Sequence, residues 1–243
     1  MIALIPSKGR VNTSTYKLLM GSGFAVYHFI EPQEIDAYDV PNKISILEDN
    51  RGITYVRNFM LEWAKAEGHK TVLICDDDIN SFGIAKNKRA GNRPDAEALV
   101  KPFTVFSKST FALAGVNQRQ FAWSETKPYR VNSGKVNGCI FVNLNKITWK
   151  YRENTKEDID FAMQCLSNRQ SFIFFCKVFY NSPAVGTNKG GLHESYVNKY
   201  DSIWAKQLHL DWINHSKIIE QYGRVDCRVD FKKLAKEMGL DVI

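Results

Sequence analysis

Asp76, Asp77 and Asp78 stand in a row at the end of Val72-Leu73-Ile74-Cys75, an apolar run too short for a typical helix. Carboxylates packed this closely repel one another. At the carboxyl end of a strand in an α/β sheet, a hard divalent cation relieves that repulsion most simply, and such a cation commonly carries a phosphate. The same triplet also reads as a solvated acidic turn in which Asp78 caps the next element. A second acidic group, Glu157, Asp158 and Asp160, opens the segment Asn154 to Leu166, which is patterned as a helix. A carboxylate there can take the proton of an attacking hydroxyl. The competing reading is structural, because Thr155-x-x-Asp158 is a helix-capping arrangement and acids near a helix start suit its dipole.

The elements around these groups can be read from periodicity. Ile53, Val56, Met60, Trp63 and Ala64 fall at helical spacing and Gly68 is a stop, so the order is loop, helix, turn, strand, acidic cluster. Ile2-Ala3-Leu4-Ile5 reads as a first buried strand that Pro6 ends by removing a ladder donor, followed by the polar turn Ser7-Lys8-Gly9-Arg10. Val136 to Leu144 and Ser171 to Tyr180 read as further core strands. The second of these enters a Gly-rich loop from Asn181 to His193, whose backbone amides and Lys189 can close over phosphates. Tyr200, Trp204, Leu208, Trp212 and Ile219 predict one amphipathic helix between Tyr196 and Tyr222, its aromatic stripe turned to the core. Asp230 starts a short basic helix through Lys232, Lys233 and Lys236.

A chain of 243 residues without linker, low-complexity tract or repeat suits one catalytic domain, read as a core over 1–195 and a helical extension over 196–243 packed on it. The formal charge of +7 and a pI near 9.1 favour an acidic partner. Lys86, Lys88, Arg89 and Arg93 crowd the loop after the acidic strand, where they suit a polyanion such as DNA or form an ordinary solvated loop. No apolar run is long enough to cross a bilayer, and Met1 to Ile5 lacks the charged start and length of a signal peptide, so a cytoplasmic protein is expected. The five cysteines show no CxxC spacing and read as reduced core thiols rather than zinc ligands.

Asn50-x-Gly52 ahead of a helix, Arg57-Asn58 in its first turns and Asp76-x-Asp78 after the next strand resemble the GT-A nucleotide-sugar glycosyltransferases. That resemblance implies an α/β fold: a single GT-A-like, Rossmann-like domain with a mixed, mostly parallel sheet flanked by helices. With Asp76-Asp77-Asp78-Ile79, Glu157-Asp158-Ile159-Asp160-Phe161 and the Gly190-Gly191 loop, the sequence is similar to the bacteriophage TET-associated glycosyltransferases. The resemblance spans the first strand to about His193. It implies sugar transfer to hydroxymethylated pyrimidines of phage DNA in the infected host's cytoplasm, from a nucleoside-diphosphate sugar such as a UDP-sugar, with Mn or Mg. Pro6, Ser7, Arg10, Asn50, Gly52, Arg57, Asp76, Asp77 and Lys189 would hold the donor. Asp78, Asp76 and a late His193 would hold the metal. Asp158 would act as base, with Glu157 and Asp160 as alternates.

A polysaccharide or protein acceptor, a sugar-phosphate nucleotidyltransferase, a metal-dependent nuclease and a silent nucleic-acid-binding domain are rival readings. The nucleotidyltransferase and the nuclease also need clustered carboxylates, but neither accounts as economically for the ordered Asn-x-Gly, Arg-Asn, strand and triple-Asp sequence.

Overall fold

The computed structural model describes residues 1–85, 95–184, 187–188, 190–221 and 223–243. The amino-terminal part runs β1 (Ile2–Ser7), α1 (Ser14–Leu19), β2 (Ala25–Ile30), β3 (Lys43–Ser45), α2 (Gly52–Ala66), β4 (Thr71–Cys75) and β5 (Ser81–Ile84). There follow α3 (Glu97–Ser107), β6 (Leu113–Gln118), α4 (Arg119–Ala122), β7 (Tyr129–Val131), β8 (Cys139–Asn143), α5 (Glu157–Ser167) and β9 (Phe172–Asn181). The chain ends with α6 (His193–Val197), α7 (Tyr200–Asp211), β10 (Ser216–Gln221), β11 (Arg224–Val229) and α8 (Phe231–Glu237).

Period-two alternation sorts the central strands onto two cores. Leu4, Val72 and Ile74 face one core with residues of α2, α5, α7 and α8, while Ala3, Ile5, Leu73 and Cys75 face the other with residues of α1 and α3. The large sheet has the order β3-β2-β1-β4-β8-β6-β9-β5, with β7 beside β9. Its β3-β2-β1-β4 half is parallel, and β8 runs antiparallel between β4 and β6. This is the expected α/β architecture, a mixed sheet flanked by helices, and it carries the ends of β1 and β4 to one edge. No described helix is long and apolar enough to cross a membrane.

Local chemistry explains the Asn50-x-Gly52 motif. Asn50 and Gly52 both have positive φ, 59° and 79°, and these two types enter the left-handed region at least cost. The chain can therefore turn sharply into α2.

Two expectations are corrected. Pro6 does not end β1, which continues in register with β2 through Ser7; the pairing with β4 has already lapsed after Leu4. The predicted helix from Tyr196 to Tyr222 is broken. α7 ends at Asp211, and Ser216–Gln221 pairs antiparallel with Arg224–Val229 around Gly223, whose φ is +72°. Ile218, Ile219, Val225 and Val229 favour a strand, and Ile219 falls on the helical spacing by coincidence. The hairpin and α8 still pack on the sheet, because Cys227, Phe231 and Leu234 join the same core as α5.

Candidate active site

Arg57 stands at the centre of the acidic groups. Its side chain is 8% exposed and donates to Asp76 Oδ1 at 2.9 Å and to Glu157 Oε1 at 2.7 Å, so the end of β4 and the start of α5 share one guanidinium. The next residue fixes the frame. Asn58 donates to the Tyr151 carbonyl at 2.9 Å and accepts from its N–H at 2.8 Å. Tyr151 in turn stacks on Phe161 and lies beneath the Arg57 guanidinium, 5.5 Å from the ring centroid. The Arg57-Asn58 pair therefore joins α2, the segment before α5 and the acidic turn.

The acid triplet divides by environment. Asp76 keeps 39% of its side chain exposed; desolvation, opposed by Arg57 and reinforced by Asp78 and Asp77, holds its carboxyl above the usual carboxylate range. Asp77 is buried, accepts from Ser7 Oγ at 2.7 Å and pairs with Arg10. It organises the turn after β1. Tyr38 completes that turn, its hydroxyl 3.0 Å from Ser7 Oγ and accepting from the Arg10 N–H at 3.1 Å. Thr15 braces the triplet from α1, donating to the Asp76 carbonyl at 2.6 Å and accepting from the Ile79 N–H at 2.9 Å. Lys8 links Glu31 and Asn50 at 2.9 and 2.6 Å, tying this turn to the loop before α2.

At α5 the three acids have different surroundings. Glu157, 12% exposed and bound to Arg57, is pushed up to about 7 by burial and by Asp158, against the pull of Arg57. Asp158 is half-buried, and among the described residues its hydrogen bond is from the Ile159 N–H to Oδ1 at 2.7 Å. Its charge adds to the effects that raise the Asp76 carboxyl. Asp160 is fully buried on another side of the helix, where Arg152, Gln164 and the Trp212 indole saturate its oxygens. These bonds tie α5 to the carboxyl-terminal segment. The Thr155-x-x-Asp158 cap is not formed, since among the described residues Thr155 Oγ1 is buried without a partner and Lys156 occupies the capping position.

The late loop clasps the turn after β1. Gly191 N–H donates to the Lys8 carbonyl at 3.0 Å and Arg10 to the Gly190 carbonyl at 3.2 Å. A Cβ on Gly190, at φ +85°, would come within 2.8 Å of the Lys8 carbonyl oxygen, so glycine is required there. Asn188 donates to Asp78 at 3.2 Å.

The TET-associated glycosyltransferase family model matches residues 1–191. The chain belongs to that family. It is thus a glycosyltransferase. No curated protein is similar in sequence across the chain. The fold is similar to A197 from STIV, with 13% identity, TM-score 0.46, and 75% of this chain and 85% of that chain covered. It is also similar to CMP:2-keto-3-deoxy-manno-octonic acid synthetase complexed with CTP, with 12% identity, TM-score 0.45, and 85% and 98% covered. A third likeness is to the apo glycosyltransferase GlyE of Streptococcus pneumoniae TIGR4, with 13% identity, TM-score 0.35, and 87% and 63% covered. The family match alone carries the assignment.

In this glycosyltransferase the donor chemistry for a hard cation is present. Asp78 and Asp76 offer carboxylate oxygens, and among the described residues the buried Nδ1 of His193, the first residue of α6 after the loop that reaches Asp78, has no hydrogen-bond partner. Among the described residues no three such side chains converge as a metal site; Arg57 holds Asp76, and Arg10 lies 3.5 Å from Asp78. Lys189, Lys86, Lys88, Arg89 and Arg93 lie outside the described residues. Thr15 and Tyr38 were missed by sequence reasoning, because their partners lie 61 and 31 residues away and no local spacing marks them. Lys8 was legible only as part of the polar turn.

Proposed function

We propose that this glycosyltransferase moves a sugar from a nucleoside-diphosphate sugar, such as a UDP-sugar, to the hydroxymethyl group of a modified pyrimidine in DNA, with Mn or Mg. The observation that carries the reading is the Arg57 bridge, which gathers a strand-end carboxylate and a helix-start carboxylate around one guanidinium. Asp78, with Asp76 and His193, would hold the divalent ion, which supplies positive charge for the departing nucleoside diphosphate. Asp158 accepts the proton of the attacking hydroxyl as its oxygen bonds to the anomeric carbon and the sugar–phosphate bond breaks. Two facts support Asp158 over its neighbours: Glu157 is engaged by Arg57, and Asp160 is enclosed by Arg152, Gln164 and Trp212. Ser7, Arg10 and the loop at Asn50 and Gly52 form the donor side, held in shape by Asp77 and Lys8. Lys189 would add charge at the diphosphate, and Lys86, Lys88, Arg89 and Arg93 would face the nucleic acid. The net charge of +7 supports a polyanionic acceptor.

Mass spectrometry of hydroxymethylated DNA, polysaccharide and protein, each incubated with a panel of nucleotide sugars and Mn or Mg, tests this. A hexose or related mass added to the hydroxymethylated base is expected. Transfer only to polysaccharide or protein would overturn the acceptor, and intact donor in every mixture would overturn the reaction.

A further inference from the structure

The hairpin of β10 and β11 carries a charge arrangement that the fold does not explain. Lys217 and Arg228 are directly opposite in the antiparallel register, which puts two cations side by side on one face. Like charges in that position destabilise a strand pair. Both residues are exposed, and among the described residues neither has an acidic partner. The nearby acids are already engaged: Asp226 by Lys156 at 2.8 Å, Glu237 by His215 at 2.6 Å, and Asp230 by the Lys233 N–H at 3.0 Å. Lys217, Arg228 and Lys233 line one cleft of about 390 Å³ with His215 and a single carboxylate, Asp230.

Position gives this cleft a use. Two residues along the same face of β11 from Arg228 is Asp226, bound to Lys156, the residue directly before Glu157 and Asp158. Same-face positions on a strand are about 7 Å apart, so the cations lead toward the carboxylates of the site. The hairpin also lies beyond the residues matched by the family model, which end at 191. We propose that the hairpin and α8 form a second phosphate-binding surface for the nucleic-acid acceptor, with Lys217, Arg228 and Lys233 as its cations. This rests on the DNA reading of the function. A polyanion crossing the face relieves the Lys217–Arg228 repulsion on binding, and its phosphates pass beside the acid that receives the acceptor proton.

The test uses the full chain and duplex DNA, with and without hydroxymethylated bases, across a salt series. The K217A/R228A variant is expected to bind DNA at least tenfold more weakly. The slope of log affinity against log salt should shrink by about 1.8, or ~0.9 for each phosphate that is no longer neutralised. K217E, which turns the repulsive pair into an attractive one, should melt no lower than wild type while also losing DNA affinity, an outcome that a purely structural role would not give. A wild-type salt slope that both variants retain overturns this surface and leaves the DNA reading standing. Wild-type protein with no salt-sensitive DNA binding overturns both, as does binding confined to an acidic polysaccharide such as heparin.

Discussion

Arg57 and Glu157, a hundred residues apart in the chain, are joined at 2.7 Å with both side chains nearly withdrawn from water. The Arg57 ion pair is thus part of the fold as well as the site. Removing one partner of a buried pair leaves the other charge uncompensated, at a cost of about 3–5 kcal/mol. Arg57→Ala is expected to lose stability on that scale in chemical denaturation. A loss below about 1 kcal/mol would place the pair among exposed ion pairs, which contribute little.

Glu157 also gives the protein a defined pH response. Burial and Asp158, opposed by Arg57, raise its carboxyl from 4.5 to about 7, so the folded chain holds this proton more tightly than the unfolded chain. The resulting stabilisation is fully present below pH 4.5 and is lost as pH rises through about 7. Melting temperatures across that window should fall more steeply for wild type than for Glu157→Gln. Parallel curves would show that Glu157 titrates normally.

The roles of Asp158 and Asp160 separate under the same substitution. Asp158→Asn should keep donor affinity and lose transfer by about a hundredfold or more, the usual scale for a general base. Asp160→Asn should instead lower stability, because it removes the charge that faces Arg152 and the Trp212 indole. Single-turnover transfer and thermal melting on both variants check this. Full transfer by Asp158→Asn would remove it from the chemistry.

These contrasts also mark how far the sequence was legible. The strand ending in Asp76, Asp77 and Asp78 and the helix carrying Arg57-Asn58 were readable because period-two and helical patterns are local. The different surroundings of Glu157, Asp158 and Asp160 were not readable, since each is suited to a helix start and only the distant Arg57 and Trp212 distinguish them. The carboxyl-terminal helix was overextended for a related reason. Its spacing held through Trp212, while the pairing that makes Ser216–Gln221 a strand is with residues further along the chain.

Metal binding offers a last separation, because Asp78 and Asp77 are adjacent yet differently placed. Asp77 is buried against Ser7 and Arg10, whereas Asp78 keeps 21% of its side chain exposed beside Asn188. Asp78→Asn is therefore expected to leave the fold intact and abolish Mn-dependent donor binding in calorimetry. Asp77→Asn should lower the melting temperature and weaken donor binding with or without Mn, since it loosens the turn that holds Arg10. His193→Ala should weaken the Mn dependence without changing metal-free donor affinity, because among the described residues its buried Nδ1 has no partner to lose. Chelation of wild type should reproduce the Asp78→Asn result. Donor binding by wild type that is indifferent to both Mn and chelator would show that Arg10 and Arg57 neutralise the diphosphate without a metal.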